Sequence, residues 1–142
     1  MRAIKGYVGV ILLYILGMGQ ACLGIKIGER YHVYIVNDLN QDVLYVHCKS
    51  KDDDLGSHGL QVKDKFHFTF RVNVWGTTLF WCNFNWGNIN HGGGYHIFWY
   101  KDELVYKCGY KEKDCIWFAR NDGIYLKNIP ENQFQIFYEW QR

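Results

Sequence analysis

Four cysteines, Cys48, Cys82, Cys108 and Cys115, carry the most definite chemistry in this 142-residue chain, and a fifth, Cys22, stands near its start. Thiols can ligate zinc, attack a carbonyl or pair as disulfides. A zinc site needs close ligand pairs such as C-x2-C, and the nearest pair here, Cys108 and Cys115, has six residues between its members. His47-Cys48 has the composition of a thiol-protease dyad, but neighbours in a strand point to opposite faces, so the two cannot act together. His91-Gly92-Gly93-Gly94 has the look of an esterase oxyanion loop. That chemistry needs a serine in G-x-S-x-G. The only serines are Ser50 and Ser57, and Leu55 stands where the first glycine of the motif belongs. Asp52-Asp53-Asp54 has carboxylates for calcium, but Gly56 takes a ligand position and no Glu closes the loop. The six histidines share no ligand spacing. No metal and no cofactor is expected, and paired disulfides are left as the cysteine chemistry.

That chemistry needs an oxidising compartment, and the N-terminus supplies the address. Arg2 and Lys5 precede an uncharged stretch whose apolar part, Val8–Leu16, reads VGVILLYIL; Gly17, Gly19, Ala21 and Gly24 follow. This is the layout of a secretory signal peptide, and the apolar run is shorter than the roughly 20 residues that span a bilayer. Cleavage after Ala21 or after Gly24 is plausible. The second leaves an even cysteine number, so the expected organisation is a signal peptide over residues 1–24 and one domain over 25–142. The chain carries 16 Lys and Arg against 14 Asp and Glu; removing Arg2 and Lys5 leaves 14 of each. No broad basic field remains for nucleic acid or an anionic membrane. The expected mature protein is secreted, extracellular, not membrane-embedded and monomeric. Four cysteines in such a domain form two disulfides, in any of three connectivities.

The elements that must carry these cysteines are strands. Aromatic residues make up 18% of the chain, and apolar and polar positions alternate. Lys65–Asn73 puts Phe66, Phe68, Phe70 and Val72 on one face and Lys65, His67, Thr69 and Arg71 on the other. Gln133–Trp140 does the same with Phe134, Ile136, Tyr138 and Trp140. Further strands are expected at Tyr31–Asn37, Val43–Cys48, Thr78–Asn85, Tyr95–Tyr100, Cys115–Arg120 and Ile124–Lys127, with a short one at Leu104–Cys108. Asn37–Asn40 and Asn121-Asp122-Gly123 read as turns. The pattern predicts an all-β fold: an antiparallel β-sandwich of about eight short strands with two disulfides.

Four stretches then resemble one family. They are Val33–Leu39 (VYIVNDL), Val46–Gly56 (VHCKSKDDDLG), Thr77–Trp86 (TTLFWCNFNW), and Cys115-Ile116-Trp117 followed by Asp122-Gly123-Ile124-Tyr125. In this order, with the four cysteines and the signal peptide, they resemble the plant self-incompatibility S-protein family, its small non-ribonuclease stigmatic type and that type's homologues. The resemblance spans almost the whole mature chain. It implies a secreted β-sandwich without known catalysis that acts as a signalling ligand for a plasma-membrane receptor, in self-pollen rejection or related cell–cell signalling. It also implies nested disulfides, Cys48–Cys115 and Cys82–Cys108.

Specificity in such a ligand belongs on polar loops above a fixed core. The candidate recognition loops are Lys49–Ser57, Asn88–Gly94 and Gly109–Asp114, with Lys49, Lys51, Asp52, Asp53, Asp54, His91, Lys111, Glu112, Lys113 and Asp114 as contact residues. Two other functions compete. A carbohydrate-binding sandwich would use Trp75, Trp86 or Trp99 to stack on sugar rings. A secreted hydrolase would need Asp53, Asp54 and Glu103 as its carboxyl groups.

Overall fold

The computed structural model describes residues 28–87 and 94–141. The expected signal peptide and His91 lie outside these residues. Nine strands and one helix follow in chain order among the described residues: β1 (Arg30–Asn37), β2 (Leu44–Ser50), β3 (Asp54–Leu60), β4 (Lys65–Arg71), β5 (Leu79–Trp86), β6 (Gly94–Trp99), α1 (Asp102–Cys108), β7 (Asp114–Arg120), β8 (Gly123–Asn128) and β9 (Gln133–Tyr138). They form two sheets. The first has five strands in the order β9-β8-β7-β1-β4, the second four in the order β3-β2-β5-β6. The all-β sandwich is as expected, with one departure. β1 and β7 run parallel, His32 opposite Asp114 through Asn37 opposite Ala119, so the larger sheet is mixed. The cause is the crossover: the chain leaves β6 at the edge of one sheet, passes through α1, and enters the other sheet beside β1.

Alternation builds the core. In β1, Tyr31, Val33, Ile35 and Asn37 point inward and are buried, while His32, Tyr34 and Val36 stay partly open. In β4, Phe68 is buried and the charged residues Lys65 and Arg71 are exposed, as its alternation dictates. Phe70 packs on Phe80 and Phe98, each at 4.6 Å between ring centroids, which joins the sheets. Trp117 is fully buried and its indole N–H donates across the sandwich to the Ile97 carbonyl at 3.0 Å. Each large side chain buried this way contributes about 1.5–3 kcal/mol.

Three expectations are corrected here. Leu104–Cys108 is helix, not strand. Leu104, Val105 and Cys108 are buried, Asp102 and Glu103 fill the first turn, Lys107 the last, and Gly109 stops the helix at φ 82°. These charges suit the helix dipole and the glycine suits the left-handed stop. Second, Gln133–Trp140 does not keep one face inward. The register jumps between Ile136 and Tyr138, so Phe137 is an extra residue. The bulge leaves Phe134 and Ile136 exposed while Trp140 is buried. Third, the disulfides are Cys48–Cys82 and Cys108–Cys115, not the nested pairs. Cys48 and Cys82 face each other across β2 and β5, with Cα atoms 4.0 Å apart. Adjacent strands of one sheet thus bring Cys48 to Cys82, and Cys108 at the end of α1 meets Cys115 at the start of β7, so no sulfur is left for a bridge between the sheets.

β3 has no counterpart in the alternation of the sequence. It is an edge strand in which only Leu60 is buried, paired to β2. The Tyr45 ring lies over Gly59, whose added Cβ would come 3.1 Å from it.

Strand directions sort the connections into two groups. The Lys51–Asp53 turn, the Val72–Thr78 loop, Gly109–Lys113 and Ile129–Asn132 share one end of the sandwich, the helix end. Asp38–Val43, Gln61–Asp64 and Asn121-Asp122 share the opposite, hairpin end.

Candidate binding surface

Two of the three expected recognition loops share the helix end. Lys49 and Ser50 close β2 and Asp54–Ser57 open β3, so only Lys51, Asp52 and Asp53 form the turn, and all three are exposed. Ser50 braces it: its N–H donates to the Asp53 carbonyl at 2.8 Å and its Oγ accepts from the Asp53 N–H at 3.0 Å. The first disulfide sits just below, at Cys48. Asp54 is committed. Its Oδ1 lies 2.5 Å from His47 Nε2 and accepts from the Gly56 N–H at 2.9 Å. The His47 hydrogen bond, then that of Gly56, holds this carboxyl below the usual range.

The second loop is closed by Cys108–Cys115. Lys113 turns inward at φ 56°. Its Nζ donates to the Tyr110 carbonyl at 2.7 Å and lies 3.6 Å from Glu29 Oε2. Glu29 also accepts from the Tyr100 hydroxyl. That bond, with burial, pushes the Tyr100 phenol up to about 12. Burial, with Glu29 beside it, also raises the Tyr31 phenol. Asp114 begins β7 opposite His32. Lys113 and Asp114 therefore belong to the scaffold, whereas Lys111 and Glu112 are exposed. Nothing in the sequence marked Glu29 or Tyr100 as holding this loop, because their meeting depends on the crossover.

The Val72–Thr78 loop stands beside the Lys51–Asp53 turn, and a groove of about 570 Å³ runs between them, lined among others by Asp52, Asp53, Arg71 and Trp75. A second groove of about 490 Å³ lies beyond Thr77–Leu79 and includes Trp99 and Glu103. Of the tryptophans considered for sugar stacking, Trp75 is 82% exposed. Trp86 packs on Trp140 at 5.8 Å, and Trp99 packs on Phe137 and donates to Glu103 at 3.0 Å. The carboxyl groups considered for hydrolysis are dispersed: Asp53 lines the first groove, Glu103 the second, and Asp54 faces His47. No group of three or more His, Cys, Asp or Glu side chains converges among the described residues. No helix among them is long and apolar enough to cross a membrane.

The hairpin end is built differently. Asn37 is fully buried, and its amide donates to the Asp42 and Leu60 carbonyls at 2.9 and 2.8 Å while its Oδ1 accepts from the Leu39 N–H at 3.0 Å. Asp38 takes the Lys63 ammonium and the Arg120 Nε, the latter at 2.8 Å. Burial works to raise the Asp38 carboxyl, but these two cations outweigh it and hold it low. The Asn121-Asp122 turn closes the β7–β8 hairpin without positive φ at either residue. Gly123 is required instead, because a Cβ there would lie 2.3 Å from the Tyr138 carbonyl oxygen.

Comparison with known proteins gives this architecture its relatives. Residues 32–140 match the family model of plant self-incompatibility protein S1. S-protein homolog 1 of Arabidopsis thaliana is 37% identical over 117 residues, covering 82% of this chain and 74% of that protein. S-protein homolog 2 of the same plant is 40% identical over 116 residues, covering 78% and 68%. A solved structure of a self-incompatibility protein homologue, described as one of a widespread family of small, highly stable, secreted plant proteins, shares the fold with a TM-score of 0.57 at 24% identity, over 81% of this chain and 97% of that one. The match over residues 32–140, with both disulfides inside it, places this chain in the plant self-incompatibility S1 family.

Proposed function

We propose that the mature chain is a secreted, non-catalytic protein ligand, recognised by a plasma-membrane receptor through the exposed residues of the helix end. Residues 1–24 serve as its export signal and are removed, and the monomer is the active form. The observation that carries this reading is the joint presentation, at one end, of Lys51–Asp53 and Lys111-Glu112, each beside a disulfide, in a member of the S1 family. A loop fixed in advance loses little freedom on binding, so more of the contact energy becomes affinity. Asp54, Lys113 and Asp114 act as positioning residues for these loops, and Lys49 continues β2 beneath them.

The test is direct binding of labelled, disulfide-intact protein to plasma-membrane fractions of its source tissue. Exchanging the two charges, Lys111→Glu together with Glu112→Lys, conserves net charge at two exposed positions. Binding should weaken at least tenfold, with the melting temperature unchanged. Undiminished binding by that variant rejects this loop as the contact.

A further inference from the structure

The receptor reading makes no use of Trp75, which is 82% exposed beside a groove. We propose that this groove is a binding site for a neutral, pyranose-based oligosaccharide. Three observations favour that ligand class.

The first is how firmly the ring is displayed. The loop below it is tied by Asn73, whose N–H donates to Thr78 Oγ1 at 2.8 Å, whose amide donates to Thr77 Oγ1 at 3.0 Å and whose Oδ1 accepts from the Thr77 N–H at 2.9 Å. Its carbonyl also accepts from the Gly76 N–H at 3.1 Å. Gly76 has φ 68°, a conformation glycine adopts freely. The exposed ring is therefore carried on a loop that spends its own polar groups on bracing itself. A rigid indole offers a large flat area with a small ordering cost, which suits the C–H face of a sugar ring.

The second is the polar wall. The carboxylates of Asp52 and Asp53 take no side-chain hydrogen bond or ion pair among the described residues, and they line the same groove as the Trp75 ring. Carboxylates accept from hydroxyl groups, and a polyol presents many donors.

The third is charge. Lys51 and Arg71 line the groove with Asp52 and Asp53, so its lining carries two positive and two negative groups, the Arg71 guanidinium also donating to the Gly28 carbonyl at 2.8 Å. A ligand with net charge gains nothing from that balance and meets repulsion on one side, whereas a neutral polyhydroxylated chain satisfies both signs. The groove volume of about 570 Å³ falls within the roughly 300–1,000 Å³ of small-ligand sites.

The experiment is calorimetric titration of the mature, disulfide-bonded protein with cellohexaose, mannohexaose and, as charged comparator, trigalacturonate. A neutral hexasaccharide should bind, Trp75→Ala should weaken it at least tenfold, and Asp52→Asn with Asp53→Asn should weaken it several-fold. Far-UV circular dichroism and melting should stay unchanged in each variant, because the altered side chains are exposed. The proposal is overturned if wild type binds neither neutral sugar, if Trp75→Ala binds equally well, or if trigalacturonate binds more tightly than both. Loss of membrane binding by Trp75→Ala, with no sugar bound by wild type, would make Trp75 a protein contact and also overturn it. Because the Lys111/Glu112 exchange leaves the groove intact, failure here is separable from failure of the receptor reading.

Discussion

The two ends of the sandwich solve opposite problems. At the hairpin end, polar side chains turn inward: Asn37 is fully buried with each side-chain polar atom bonded to backbone, and Asp38 gathers Lys63 and Arg120. At the helix end, Trp75, Lys51–Asp53 and Lys111-Glu112 turn outward, and what fixes them lies beneath: Ser50, Asn73, the Glu29 cluster and two disulfides. A buried amide with all partners met locks a connection in one conformation, and losing it leaves unpaired groups that water cannot reach. An exposed side chain on a braced loop can be exchanged at little cost in stability. The hairpin end thus spends its polar side chains on its own fixation, whereas the helix end keeps its bracing beneath side chains that are free to vary.

Mutations should separate the ends by the size of their effect. The largest loss is expected from Cys48→Ala with Cys82→Ala. Releasing a crosslink over 34 residues costs about 4 kcal/mol by loop entropy, read as a lower denaturant midpoint. Next comes Asn37→Leu, which strands the Leu39 N–H and the Asp42 and Leu60 carbonyls. It should cost about 3 kcal/mol without altering membrane binding, and a loss under about 1 kcal/mol would undo the contrast between the ends. Cys108→Ala with Cys115→Ala opens a loop of only 7 residues, so about 2 kcal/mol is expected. Like the first pair, and unlike Asn37→Leu, it should also weaken binding, because Lys111-Glu112 loses its brace.

Acid should act first where Asp38 sits. Its carboxyl is held low in the folded state by Lys63 and Arg120 against the pull of burial. A depressed carboxyl contributes stability above its unfolded value, about 3.9, and that contribution fades as pH falls through the folded value. Asp38→Asn should therefore lose about 1–2 kcal/mol at neutral pH, with a flatter decline below about pH 4 than wild type. Denaturant melts across that range would show it. The smallest effect on stability belongs to Trp75→Ala, within about 0.5 kcal/mol.

How far the sequence could be read follows from how local each feature is. The face made by Phe66, Phe68, Phe70 and Val72 was plain in the alternation, because a strand's two faces depend on nothing outside it. The signals for α1 were equally local, with Asp102 and Glu103 at its start, Lys107 near its end and Gly109 after it. They do not stand out, because seven residues are too few to show a helical period. β3 was hidden because Gly56 and Gly59 carry no pattern and an edge strand buries little. Phe137 gave no sign of the bulge that reverses Phe134 and Ile136. The disulfide partners and the groove beside Trp75 both depend on which strands lie side by side, a property of the folded sheets alone. Alternation alone predicts the sandwich; the family resemblance implies the same fold and misleads on the pairing.

One comparison reaches the central claim that recognition belongs to the helix end. Membrane binding is measured for two variants of the intact protein: Lys111→Glu with Glu112→Lys at the helix end, and Gln61→Lys on the exposed turn of the hairpin end. Affinity should fall at least tenfold in the first and stay at the wild-type value in the second, with both melting as wild type does. Equal binding by the two, or a loss confined to Gln61→Lys, would contradict the account.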